Sequence, residues 1–65
     1  MKLYTLYEIA PDCTKQLVCS FDTFIDAARY ASNLIQSGEV SSGHVYQIYD
    51  IMQEQTIFEH TVEKI

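Results

Sequence analysis

Tryptophan is absent from this 65-residue chain, proline occurs once, and glycine and cysteine occur twice each. Each scarcity excludes something. One proline and two glycines leave no low-complexity tract and no glycine-rich loop to cradle a phosphate. Two cysteines, Cys13 and Cys19, are too few for a disulfide framework. Positive charge is scarce as well: four Lys+Arg stand against nine Asp+Glu, for a formal net charge of −5 and a pI near 4.6. Lys2, Lys15, Arg29 and Lys64 lie scattered, with no basic run. Direct nucleic-acid binding, which needs several clustered cations to displace counterions, is therefore not expected. No uninterrupted apolar run approaches the ~20 residues that span a bilayer. The start MKLYTLYEI is broken by Thr5 and Glu8, and no small-residue cleavage site follows it. These absences predict a soluble, cytoplasmic protein with no membrane partner.

What is present is a core. Hydrophobic residues make up 48% of the chain, too many for a disordered tail and enough for one compact domain over residues 1–65, near the lower size at which a fold stands alone. No linker, internal repeat or charge block divides it.

The hydropathy period changes along the chain. Leu3 to Ile9 and Gln16 to Phe21 are rich in Tyr, Leu, Val and Ile, and the break APDCT between them reads as a hairpin turn. In TFIDAARYASNLIQSG the period lengthens: Phe24, Ala27, Ala28, Ala31, Leu34 and Ile35 share one helical stripe, while Asp26, Arg29, Asn33 and Gln36 face outward. Thr23 with Asp26 three positions on resembles a capping box, and Gly38 suits the left-handed residue that ends a helix. After the loop SGEVSSG, residues His44 to Asp50 and Thr56 to Val62 predict a second hairpin with its turn near IMQEQ, Ile48 opposing Phe58 and Tyr46 opposing His60. The fold class expected is α+β in the order ββαββ: one four-stranded, mostly antiparallel sheet with a single helix packed on one face.

A single helix covers one side of such a sheet, so the residues of the other side become the question. Pairing Tyr7 with Leu17, Thr5 with Cys19 and Leu3 with Phe21 puts Leu3, Tyr7, Leu17, Cys19, Phe21, Tyr46, Ile48, Phe58 and Val62 under the helix. The opposite face would then carry Tyr4, Leu6, Val18, Val45, Tyr49 and Ile57, with Lys2, Glu8, Gln16, Gln47, Glu59 and Thr61 around them. A face apolar in its middle and charged at its rim is the pattern of a contact surface. A scatter of good strand formers on a free surface would look similar.

Chemistry-bearing residues are few. Cys13, Cys19, His44 and His60 are the residues from which a zinc site or a thiolate–imidazole pair could be built, but no two of them stand at a short ligand spacing, and Asp12 beside Cys13 would raise a thiol pKa. A buried Cys19 and an exposed Cys13 are expected, with no catalytic residues, no metal site and no cofactor. The ββαββ path brings the helix start and the second hairpin turn to one end, where Asp22, Asp26, Asp50 and Glu54 would gather as an acidic end able to receive a basic surface. Local roles at a helix N-terminus and in turns would also account for most of these carboxylates.

The function expected is that of a small, acidic, non-enzymatic interaction protein, forming a homodimer through the uncovered sheet face and binding a protein partner with a basic surface. In size, charge and layout the chain is similar to small phage and mobile-element proteins that act by occupying a partner's surface, which implies an inhibitor or regulator. The alternatives are a structural or regulatory homo-oligomer with no inhibitory role and, from another class, a metal protein or enzyme built on Cys13 and the histidines.

Overall fold

The computed structural model describes residues 2–38 and 42–63. The middle of the helix-to-strand loop, 39–41, and the last cation, Lys64, lie outside the described residues. In chain order the elements are β1 (Tyr4–Ile9), β2 (Lys15–Phe21), α1 (Phe24–Gln36), β3 (Val45–Asp50) and β4 (Gln55–Thr61). The four strands form one open sheet in the order β2-β1-β3-β4, every neighbouring pair antiparallel. The expected α+β, ββαββ architecture is the one observed.

Each connection has a local cause. The first hairpin closes where the Cys13 N–H donates to the Ala10 carbonyl (2.8 Å) and the Ala10 N–H to the Thr14 carbonyl (2.9 Å). Pro11 sits where no donor is needed, and Cys13 takes a left-handed φ of 73°, the form of a three-residue hairpin loop. The Thr14 N–H also donates to Asp12 Oδ1 (3.0 Å), and the hydrogen bonds from Thr14 hold the Asp12 carboxyl below its ordinary pKa. The helix begins at Thr23, an extended N-cap whose hydroxyl accepts the Asp26 N–H at 3.2 Å. It ends at Ser37, whose N–H reaches the Asn33 carbonyl (3.0 Å), and Gly38 follows at φ 76°. Gly43 has φ 95°, and a Cβ there would meet Pro11 Cγ at 3.2 Å, so the α1–β3 loop and the first turn touch at a point where any other residue would be strained.

The core lies between α1 and one face of the sheet. Leu6, Ala27, Ala31, Tyr46 and Ile48 are almost wholly buried, with Val62 beside them. Tyr4, Val18, Phe21, Ala28, Leu34, Ile35 and Phe58 pack around that cluster. Ala27 and Ala31, one turn apart, let the helix backbone approach the strands. The helix lies over β1, β2 and β3 and makes no close backbone approach to β4.

Two strands depart from the expected registers. Tyr7 does pair with Leu17, but β2 carries an irregularity at Val18, so Thr5 pairs with Ser20 and Tyr4 with Phe21. On its other side β1 pairs with β3, Leu6 opposite Ile48 and Tyr4 opposite Asp50. Directly opposed residues share a face, so the central pairing with β3 turns Leu6 and Tyr4 toward the helix and sends Tyr7, Leu17 and Ile9 to the uncovered side. The assignment of Tyr4, Leu6 and Val18 to the uncovered face is therefore corrected: Leu6 is core, and Tyr4 and Val18 pack against it. Cys19, expected to be buried, is exposed.

Candidate functional site

The uncovered face is built from alternate residues of all four strands. Across the sheet one row runs Leu17, Tyr7, Gln47, Glu59; the next runs Lys15, Ile9, Val45, Thr61; and on the other side Ser20, Thr5, Tyr49 and Thr56 align. Leu17, Tyr7, Ile9 and Val45 thus form one apolar patch toward the first-hairpin end, with Leu17 62% exposed. Tyr49 lies beyond Gln47, flanked by threonines on both sides. Thr5 is buried although it lies on the face that no helix covers, between Ser20 and Tyr49.

Two polar contacts fix the borders of this face. The Lys15 ammonium sits over the Tyr7 ring, 4.3 Å from its centre, a cation–π contact between β2 and β1. Gln47 Nε2 donates to Glu59 Oε2 at 2.7 Å across the β3–β4 pair. Ile57, the extra residue where the β3–β4 register shifts, is partly exposed. Of the six residues expected to form the contact face, the structure places Val45 and Tyr49 there, leaves Ile57 at the irregularity, and puts Tyr4, Leu6 and Val18 on the helix side.

The acidic end is dismantled in part. Asp50 is buried, and its Oδ1 accepts the N–H groups of Met52 (2.9 Å) and Gln53 (3.2 Å), so its carboxylate ties the β3–β4 turn instead of facing a partner. Glu54 is exposed at a left-handed φ of 53° in the same turn. Asp22 and Asp26 share an open hollow of about 310 Å³ with Lys2 and Arg29. Its floor includes the tilted ring pair Phe21 and Tyr30, with centroids 5.5 Å apart. Two cations balance two carboxylates there, so the hollow is not strongly acidic.

The histidine and cysteine candidates do not converge. Cys13 and Cys19 are both exposed and unpaired. His44 Nε2 lies 3.5 Å from Glu8 Oε1. Burial, together with the neighbouring Glu8 carboxylate and its hydrogen bond, raises the pKa of the Tyr46 hydroxyl. Among the described residues, no group of three or more His, Cys, Asp or Glu side chains is placed to hold a metal ion. No helix among them is long and apolar enough to cross a membrane.

Half-buried Tyr7 and Ile9 and exposed Leu17 are additions to this face that the sequence does not announce. The signal for them was the pairing of β1 with β3: had Leu6 been set opposite Ile48, the odd-numbered residues of β1 would have gone outward at once. No protein-family profile, curated protein or solved structure matches this chain.

Proposed function

We propose that this chain is a non-enzymatic interaction protein that seats a protein partner with a basic surface on the uncovered face of its sheet. The observation that carries it is the patch of Leu17, Tyr7, Ile9 and Val45, beside the Lys15–Tyr7 cation–π pair on a face with no helix over it. Apolar residues clustered in this way, rimmed by Lys15, Gln47 and Glu59, have the make-up of an interface centre and its polar border. The net charge of −5 acts at longer range than the patch and favours approach of a basic partner. Asp22, Asp26 and Glu54 are exposed where a basic partner can meet them, whereas Asp50 is buried and bonded into its own turn.

A tagged chain recovered from its native host tests this directly. Leu17→Asp with Val45→Asp should release a partner that wild type retains, while the far-UV circular dichroism melt stays close to that of wild type. A partner retained equally by both proteins would sink the assignment to this face.

Self-association through the same face is a second reading, and one observation favours it. Lys15 and Glu59 stand on opposite edge strands of the face. A two-fold axis running along the strands at the middle of the sheet keeps each row level, so it would lay Ile9 of one copy on Val45 of the other and set Lys15 over Thr61, one row from Glu59. Sedimentation separates the two: a dimer that Leu17→Asp converts to a monomer supports self-association, and a wild type monomeric at high concentration removes it.

A further inference from the structure

β4 is an edge strand, and the helix stops short of it. Between them runs a groove of about 400 Å³, walled by Ala28, Ser32, Ile35 and Gln36 of α1 and by Phe58 and His60 of β4. The direction of the strand's backbone groups follows from its last ladder bonds. The Val62 N–H donates to the His44 carbonyl (2.8 Å), and the Val62 carbonyl accepts the Gly43 N–H (2.9 Å). Val62 therefore turns its polar groups toward β3. Alternation gives His60 and Phe58 the same inward direction and leaves the N–H and C=O of Glu59 and Thr61 pointing away from the sheet. The side chains of Phe58 and His60 are then on the groove side, and that of Glu59 is on the opposite face with Gln47.

We propose that this edge and groove take a short extended peptide of alternating apolar and basic residues, supplied by another protein and added to the sheet as a fifth strand. Its main chain bonds to the outward groups of Glu59 and Thr61. Residues beside Phe58 and His60 send apolar side chains into the groove, and the residue between them sets a Lys or Arg beside Glu59. Charge selects this occupant over a second copy of the chain. Residues 54–63 contain Glu54, Glu59 and Glu63 and no Lys or Arg, so pairing β4 with another β4 would crowd like charges that a basic peptide neutralises. The register shift at Ile57 limits the regular edge to Phe58–Thr61, so the contact is short and its affinity modest.

The groove shares no residue with the apolar Leu17 patch, although Glu59 stands on the border of both, so protection of the β4 amides and the Thr61→Pro variant are what tell this surface from that one. The probe is a fluorescein-labelled seven-residue peptide of alternating Lys and Val, titrated with the intact chain at low salt and read by anisotropy, with amide hydrogen exchange followed by NMR. Saturable binding with slowed exchange at Glu59 and Thr61 is expected. Glu59→Lys should weaken that peptide by about tenfold or more and turn preference toward an alternating Glu and Val peptide. Thr61→Pro removes an outward donor without touching the β3 ladder and should weaken binding as well. Binding that is absent, that is equal for the Lys–Val and Glu–Val peptides, that survives a central proline in the probe, or that protects β2 in place of β4 would overturn the proposal. So would a wild-type dimer paired through β4.

Discussion

The same substitution made on two paired strands gives the sharpest test of which face is covered. Leu6 and Leu17 lie on neighbouring strands, yet Leu6 is 0% exposed between Cys19 and Ile48 whereas Leu17 is 62% exposed opposite Tyr7. Truncating Leu6 to Ala removes methyl and methylene groups from a filled core beneath Ala27 and Ala31, with a cost of about 2–5 kcal/mol from lost transfer energy and residual cavity. Truncating Leu17 forfeits only the buried minority of its side chain, about 1 kcal/mol or less. A domain of this length has a total stability of roughly 3–10 kcal/mol, so Leu6→Ala consumes a large share of it. With a urea dependence of about 1 kcal/mol per molar, the far-UV circular dichroism midpoint should fall by about 2–5 M or the transition should vanish. Leu17→Ala should move it by about 1 M or less. Equal losses, or a larger loss for Leu17→Ala, would refute the β1–β3 register and the faces derived from it.

Three further outcomes follow from local structure. Thr23→Ala deletes the acceptor for the Asp26 N–H and should cost about 1 kcal/mol in the same urea assay; no loss would mean the cap does not anchor α1. Glu54 occupies a left-handed φ of 53°, so Glu54→Gly should raise stability by about 0.5–1 kcal/mol, whereas Glu54→Val should lower it. Folding raises the Tyr46 pKa above 10.0, through burial first and then Glu8. The stabilisation from the neutral ring is complete below pH 10.0 and is lost as pH rises through the higher folded value. Thermal melts should weaken over that alkaline range, and Tyr46→Phe should flatten the decline; an unchanged decline in Tyr46→Phe would refute it.

The helix and the second hairpin were legible because each is specified locally. The stripe of Ala27, Ala31 and Leu34, the Thr23 cap and Gly38 all agree on one helix. Ile48 opposite Phe58 and Tyr46 opposite His60 also follow from nearby residues. The faces of the first hairpin were not legible, and the reason is physical. From Leu3 through β1 both alternating sets are apolar, Leu3, Tyr7 and Ile9 against Tyr4 and Leu6, so hydropathy cannot say which set is buried. What decides is the pairing of Leu6 with Ile48, residues 42 positions apart (48 − 6). The irregularity at Val18 hides the answer further, since it shifts the pairing by one residue, and Leu17 and Phe21, which a regular strand would put on one face, point to opposite faces. Asp50 was misjudged for a related reason: a carboxylate at a strand end can cap its own turn, and composition alone does not separate that role from a surface charge.

The surfaces left open are a matter of width. Four strands spaced ~4.8 Å apart place the outer axes ~14 Å from each other, whereas a helix with its side chains is ~10 Å across. One helix centred toward β1 and β2 must leave β4 bare, and it can do nothing for the opposite face. Yet the accessible surface of 4467 Å² is close to the ~4,200 Å² that scaling gives for a monomer of this mass. The chain therefore has little excess surface that a partner must bury for the fold to exist. Binding at either surface adds to a structure already closed by Leu6, Tyr46, Ile48 and the two helix alanines, which is the condition for a partner that can come and go. The Leu17 patch and the β4 edge can consequently be altered one at a time, by Leu17→Asp and by Thr61→Pro: each variant removes contacts that lie outside the core, so a change in binding reports the surface and not the fold.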